Sequence, residues 1–432
     1  MLNSLKYLSK RLLYKMTKAG FLLAGLLILL TASHSLISVE KLSDPGHSFK
    51  VFEREGLYPS YGLPFRTIVL DNYTDSLMVN IAYASDPTNS LQSAFLNPRY
   101  HSPDAPNQID AFRTLIQKDD GSRVNYERYW HGYLTYLKPL LTIVSYDGIR
   151  AILHALLVTG LIAFFIIAWK QHLRKLAIAA ATGFVLIDTP YLGQSIQFSG
   201  VMIIALAAGI TALLAGDRIH PLVLSLVTGG LTSFIDLLTA PLITLGIVLI
   251  VDFARYPRSV IRMLAICMAW AIGYLGIWSL KWIMVELFIA PGALRTALET
   301  IGTRTGGKAD EAFSHFEAVR RNLFQLVGYD RSNKIAAVVV GIGATLFLLR
   351  YNKFSAIEMR NLIPLAAGSM IPYLWYLVAA NHSYIHVWYT YRSQFLTVAA
   401  ATLAYLEMLD LRSMNQDYRR LCRVIKRLRT RC

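Results

Sequence analysis

From Gly148 onward, apolar runs recur almost without pause, each close to the roughly 20 residues a helix needs to cross a bilayer core. They read as 148–169, 176–193, 198–215, 219–237, 239–254, 263–280, 335–350, 361–380 and 386–409. An earlier run, Phe21 to Ser38, follows Lys6, Lys10, Arg11, Lys15 and Lys18. Helices apolar on every side must be buried in lipid, so the pattern predicts an all-α polytopic membrane protein of ten spans. Composition agrees: 16% of the 432 residues are charged and 54% apolar, where soluble domains carry about 25% charge. Three cysteines with no paired spacing exclude a disulfide framework and a thiolate zinc cluster.

The chain has 43 basic and 27 acidic residues, a net charge of +16 that in a soluble protein would suggest nucleic acid. The loops give that charge another meaning, because cytoplasmic loops carry the excess of Lys and Arg. With the N-terminus inside, the inner segments hold +5 before the first span, +3 at Lys170, Arg174 and Lys175, and +7 in the tail after Asp410. With +2 each around Arg255–Arg262 and Arg350–Arg360, the inner side totals +19. The first outer loop, 38–138, is nearly balanced, with ten basic and twelve acidic residues. Adding or removing one span would scramble this alternation. The reading is therefore a multi-pass protein of the cell membrane, both termini cytoplasmic, with no nucleic-acid partner.

The chain divides into a basic amphipathic segment (1–20), a first span (21–38), an extracytoplasmic loop domain (39–147) and spans two to seven with an outer interfacial segment (148–288). A second outer loop (289–334), spans eight to ten (335–409) and a basic amphipathic tail (410–432) complete it. In the tail, Leu411, Met414, Tyr418, Leu421, Ile425 and Leu428 recur at three and four with Arg between them, a helix suited to an anionic leaflet or to a coiled-coil partner. Leu5 to Met16 reads the same way; a signal peptide is the alternative, but no clean small-x-small cleavage site follows.

The outer side holds the candidates for chemistry. The first outer loop carries seven of the fifteen prolines and many aromatics, which predicts an ordered, mostly helical domain. Within it, Asp71 caps a predicted helix whose apolar side is Leu77, Met78 and Ile81, and Asp75, four residues on, shares its face. Arg128, Trp130 and His131 lie in an aromatic, basic stretch that is either an interfacial belt or a substrate surface. Asp188 and Asp236 each place one acid at the outer mouth of an apolar hairpin, as a cavity-lining residue or a helix cap. The last outer turn puts His382, His386 and Tyr389 on one helical face, with Arg392 about 9 Å deeper at 1.5 Å per residue. An arginine there requires a negative partner, a lipid phosphate or one of the acids. His-x-x-x-His lacks the Glu of zinc peptidases, so no metal site is assigned, although a divalent cation stays open. The segment Gly302 to Lys308 is Gly-rich and suited to mobility, but lacks the setting of a nucleotide loop.

No nucleotide is supplied outside the membrane, so substrates there are expected to be lipid-linked. Sugar transfer from a polyprenyl phosphate needs a carboxylate to take the acceptor's proton and cations to stabilise the departing phosphate. A short inner N-terminus, one span, a large outer loop with early acids in Leu70-Asp-Asn-Tyr-Thr-Asp75, then many spans resembles the GT-C class of polyprenyl-phosphate-dependent glycosyltransferases. The resemblance implies an inverting transferase whose base is Asp71 or Asp75. It also implies a polyprenyl-phosphate-linked sugar donor docking between spans and loops, and a glycan or lipid acceptor. The acids here are four positions apart and more than thirty residues into the loop, where the class often has near-adjacent ones, so the choice between them stays open. The other readings are a polymerase of lipid-linked units, or a transporter or flippase using Asp188, Asp236 and Arg392 as a charge relay.

Overall fold

The computed structural model describes residues 9–62, 67–118, 121–307, 312–328, 331–353 and 356–429. Lys308 and residues 5–8 lie outside them, as do the side chains of Leu421, Ile425 and Leu428. The chain is a multi-pass helical protein embedded in a membrane. Among the described residues six helices are long and apolar enough to cross one: Lys10–Ser35, Tyr146–Lys170, Ile196–Arg218, Val260–Phe288, Arg331–Arg350 and Met359–Val378. The other four apolar runs form helices of only 13 to 15 residues, Arg174–Leu186, Pro221–Ile235, Leu242–Arg255 and Phe395–Met408. Their helical runs are interrupted at Ile187–Asp188, Asp236–Ala240 and Tyr391–Gln394.

Lipid-facing helices show it in their burial. In Lys10–Ser35 the buried positions are Leu12, Met16, Leu23, Leu27, Thr31, His34 and Ser35, a single stripe at helical spacing. Arg331–Arg350 buries none of its residues. By contrast Leu242–Arg255 is buried from Leu242 to Phe253 and forms the bundle axis. Pro221–Ile235 and Val260–Phe288 approach almost backbone to backbone. A Cβ on Gly229 would lie 2.1 Å from the Trp270 carbonyl, and one on Gly273 2.0 Å from that of Leu226. Small residues permit this approach where no hydrophobic effect drives helices together.

Segments read as inner loops do meet at one end of the bundle. Glu407 pairs with Lys175 at 3.0 Å and Arg258 at 3.3 Å, and Arg262 pairs with Asp252 at 2.7 Å. Arg350 pairs with Asp417 at the start of the tail helix, Leu411–Arg429. At the other end sits the 39–147 domain, whose core joins Phe52, Met78, Phe112 and Tyr146. It contains two short antiparallel ribbons, Ser60–Gly62 with Thr67–Val69 and Arg99–His101 with Ser122–Val124. Its central helix, Asn72–Tyr83, buries Leu77, Met78 and Ile81 as predicted, but also Val79, Asn80 and Ala82. A one-sided pattern became an all-round one because the domain wraps the helix on every side.

Helices Ala293–Thr305 and His315–Val327 cover the same end. Gly302 lies within the first of them, so the glycine-rich stretch is helical through Thr305.

Candidate functional site at the loop-domain end

Asp71 and Asp75 share a helix but part company in their surroundings. Asp71 is the helix cap foreseen from its sequence position: Oδ1 accepts from Thr74 N at 3.0 Å and Oδ2 from Thr74 Oγ1 at 2.8 Å. Asp75 is used entirely elsewhere. It accepts from Tyr146 OH at 2.6 Å, Ser195 Oγ at 3.0 Å, and the Ile196 and Gln197 amides at 2.9 Å. Those amides open helix Ile196–Ala215, so Asp75 caps it and ties it to the loop domain. With four donors in place, its oxygens have no lone pair left for a reacting proton.

The last outer segment is not one helix. Helix Ala380–Ile385 breaks at His386, a short turn runs Val387–Thr390, and a 3-10 turn covers Tyr391–Gln394 before helix Phe395–Met408. Thr390 Oγ1 donates to Asn322 Oδ1 at 2.8 Å, while its amide keeps the bond to the His386 carbonyl at 3.1 Å. Asn322 also takes Gln394 Nε2 on its carbonyl and donates to the Ser383 carbonyl, both at 2.8 Å, pinning the segment. The predicted face nevertheless assembles. His382 and His386 rings lie 4.8 Å apart, and His386 stacks on Tyr389 at 5.1 Å. The expected helical descent to Arg392 does not apply, since the backbone is 3-10 there.

Arg392 is 1% exposed and turns toward the loop domain, with Nη2 3.5 Å from the carbonyl of Val69, two residues before Asp71. Its guanidinium lies over Phe198 at 4.3 Å, while Nε and Nη1 have no hydrogen-bond partner among the described residues. Asp71 and Arg392 interact electrostatically without a direct ion pair within 4.0 Å. Burial pushes the Asp71 carboxyl up to about 6, against the opposing pull of Thr74 and Arg392.

Around this pair, several buried polar atoms are left over. Asp236 Oδ1 accepts from Thr239 N at 3.1 Å, but Oδ2 has no hydrogen-bond partner among the described residues. The same holds for Nδ1 of His382 and of His386 and for Nε1 of Trp388. His382 Nε2 donates to the Leu238 carbonyl at 2.7 Å, which joins the Asp236 loop to the His382 segment. Tyr389 lies within electrostatic reach of Asp71, Asp236 and Arg304. Arg128 and Arg304 act on His382 in the same way. Arg99 and Arg128 sit 5.5 and 5.7 Å from the Tyr126 ring.

Other residues singled out from sequence serve as struts. Trp130 is buried and donates Nε1 to the Ile277 carbonyl at 2.7 Å. Both ring nitrogens of His131 are engaged, with Tyr133 OH at 2.9 Å and the Tyr126 carbonyl at 2.8 Å. Asp188 adopts positive φ (61°) and accepts a short hydrogen bond from Tyr391 OH, which holds the residue next to Arg392. Sequence reasoning singled out none of Asn322, Phe198, Tyr391 and Arg99, whose relevance comes from tertiary contacts alone. Among the described residues no three His, Cys, Asp or Glu groups converge as a metal site. Compared with known proteins, the chain matches no family model, no curated protein and no solved structure.

Proposed function

We propose that this is a ten-span membrane glycosyltransferase with a GT-C-like layout, both termini cytoplasmic. It moves a sugar from a polyprenyl-phosphate-linked donor to an envelope glycan or lipid acceptor on the extracytoplasmic face. The observation that carries the reading is the approach of Arg392 to the backbone at Val69, 323 positions away, with two buried N–H groups unused beside Asp71. An unpaired guanidinium in a buried site is costly unless an anion completes it. A phosphate suits its planar donors.

In this reading Asp71 takes the proton of the acceptor hydroxyl as that oxygen bonds to the sugar's anomeric carbon. The bond to the phosphate oxygen breaks, and the electron pair leaves with the phosphate. Arg392 stabilises that developing charge, and Arg128 and Arg304 attract the anionic donor. Attack from the face opposite the phosphate inverts the anomeric centre. A base with a pKa near 6 is deprotonated at neutral pH yet still basic enough to work. Asp75, with its four donors, supports Asp71 as the base by default. His382, His386, Tyr389 and Asp236 then line the acceptor side.

The test is deletion of the gene, comparison of envelope glycans by mass spectrometry, and complementation. Wild type should restore the missing glycan and Asp71→Asn should not, with equal protein in the membrane. Full restoration by Asp71→Asn sinks the assignment. An unchanged glycan profile on deletion sinks the transferase reading itself.

A further inference from the structure

A second polar cavity lies where the first long helix ends. His34 and Ser35, at the close of helix Lys10–Ser35, face Ser85, Asp86, Ser90 and Lys138 across about 270 Å³. Lys138 belongs to helix Leu134–Leu141 and is 2% exposed. Its ammonium carries three donors, yet its one hydrogen bond among the described residues runs to Ser85 Oγ at 3.3 Å. No carboxylate among the described residues pairs with it within 4.0 Å.

Lys281 shows how this fold treats a lysine used as a strut. It is equally buried, and its ammonium donates to the carbonyls of Glu127, at 2.6 Å, and Tyr129. Lys138 lacks any such cradle. A second group repeats the deficit: His34 is 3% exposed, lines the same cavity, and its Nδ1 has no hydrogen-bond partner among the described residues. Burial lowers the Lys138 pKa only to about 8, so the cation persists at neutral pH. Asp86 is less buried than Lys138, and its Oδ1 is occupied by the amide and hydroxyl of Thr88 at 2.9 and 2.8 Å. The cavity thus pairs a deep cation with a shallower carboxylate. It sits at the junction of a membrane helix and a water-facing domain, the depth of lipid headgroups.

We propose that this cavity binds the headgroup of a zwitterionic phospholipid, its phosphate on Lys138 and its ammonium toward Asp86. The phosphate supplies the acceptors that Lys138 and His34 lack. Hydroxyls of Ser35, Ser85 and Ser90 surround it. The site is built from residues other than Asp71 and Arg392, so it stands or falls independently of the transferase reading.

The full-length protein, delipidated in detergent, is titrated by native mass spectrometry with phosphatidylethanolamine, phosphatidylglycerol and soluble phosphoethanolamine. Phosphatidylethanolamine should bind most tightly. Lys138→Met should weaken it by about tenfold, the scale of one charge-assisted contact, and Lys138→Arg should largely preserve it. Asp86→Ala should remove the preference over phosphatidylglycerol. Lys138→Met should also leave the melting temperature of the delipidated protein unchanged or raised, because it removes an unpaired buried charge; a marked drop would make Lys138 a strut and overturn the proposal. Ser90→Trp fills the cavity from its wall and should abolish the same binding, which covers the case of a Lys138 variant that does not fold. Undiminished lipid binding in either folded variant overturns the site. Phosphoethanolamine binding as tightly as the lipid overturns the lipid as its source, and equal binding of the two lipids by the native protein overturns the zwitterionic headgroup.

Discussion

Arg262 and Arg392 lie at opposite ends of the helix bundle, the first half-buried and the second fully buried, and the fold treats them differently. Arg262 clasps Asp252 through three hydrogen bonds of 2.7 to 3.1 Å. Nearby, Glu407 is shared by Lys175 and Arg258, and Arg255 donates to the carbonyl of Ala212 at 2.9 Å. Arg392 has one long contact to a carbonyl and two unused buried donors, amid unpaired atoms of Asp236, His382, His386 and Trp388. Buried polar groups are nearly always satisfied in a resting structure. The charges just named at the Arg262 end each have a partner, and their work is structural. The Arg392 end keeps a surplus of unpaired buried groups, which in the proposed function await the substrate.

The contrast can be broken most forcefully at Asp71. Asp71→Asn should cut transfer by about 10²- to 10⁴-fold, the range for losing a general base, with thermal unfolding in detergent unchanged. In the wild type the same group sets the pH profile. Its pKa is raised to about 6, so the active carboxylate is lost as pH falls. Transfer should be flat above neutrality and fall about tenfold per unit below about pH 6. A profile still flat at pH 5 would remove Asp71 from the chemistry.

A matched pair of arginine variants sharpens the comparison next. Arg262→Ala strands Asp252, which is 6% exposed, and should destabilise the protein by about 3 kcal/mol while sparing transfer in the folded fraction. Arg392→Gln should do the reverse, abolishing transfer with little loss of stability, read by thermal unfolding and assay of the same preparation. Asp75→Asn comes third. It forfeits part of a four-donor site and should destabilise by about 1–3 kcal/mol, with transfer falling only as folded protein falls. Least of all is Lys175→Ala, at a pair 36% and 29% exposed, where less than about 1 kcal/mol is expected.

Much of the architecture is legible in the sequence. Apolar runs gave the helices, and the sidedness of Lys and Arg grouped Lys175, Arg258 and Arg262, which do cluster at one end. Asp71 was readable as a cap, because capping is a matter of three or four residues. The His382, His386 and Tyr389 face was readable for the same reason and survives a broken helix. Trp130 and His131 stayed open between an interfacial belt and a binding surface, because composition does not show which groups their ring nitrogens meet. Their partners, Ile277 and Tyr126, decide that, and one is 147 positions away.

The sequence by itself determined what local periodicity and charge can encode: long apolar helices, a basic cluster at one end of the bundle, and a cap at Asp71. Tertiary structure alone decided which acid keeps spare acceptor capacity: Asp71 holds two donors and Asp75 four. Asp75 is claimed by Tyr146, Ser195 and two amides that lie 71 to 122 positions further along. Arg392 reaches the Asp71 loop across 323. The physical reason is that a side chain's chemistry depends on which donors and acceptors remain after packing. That remainder is a property of contacts between distant segments, which no window of sequence contains.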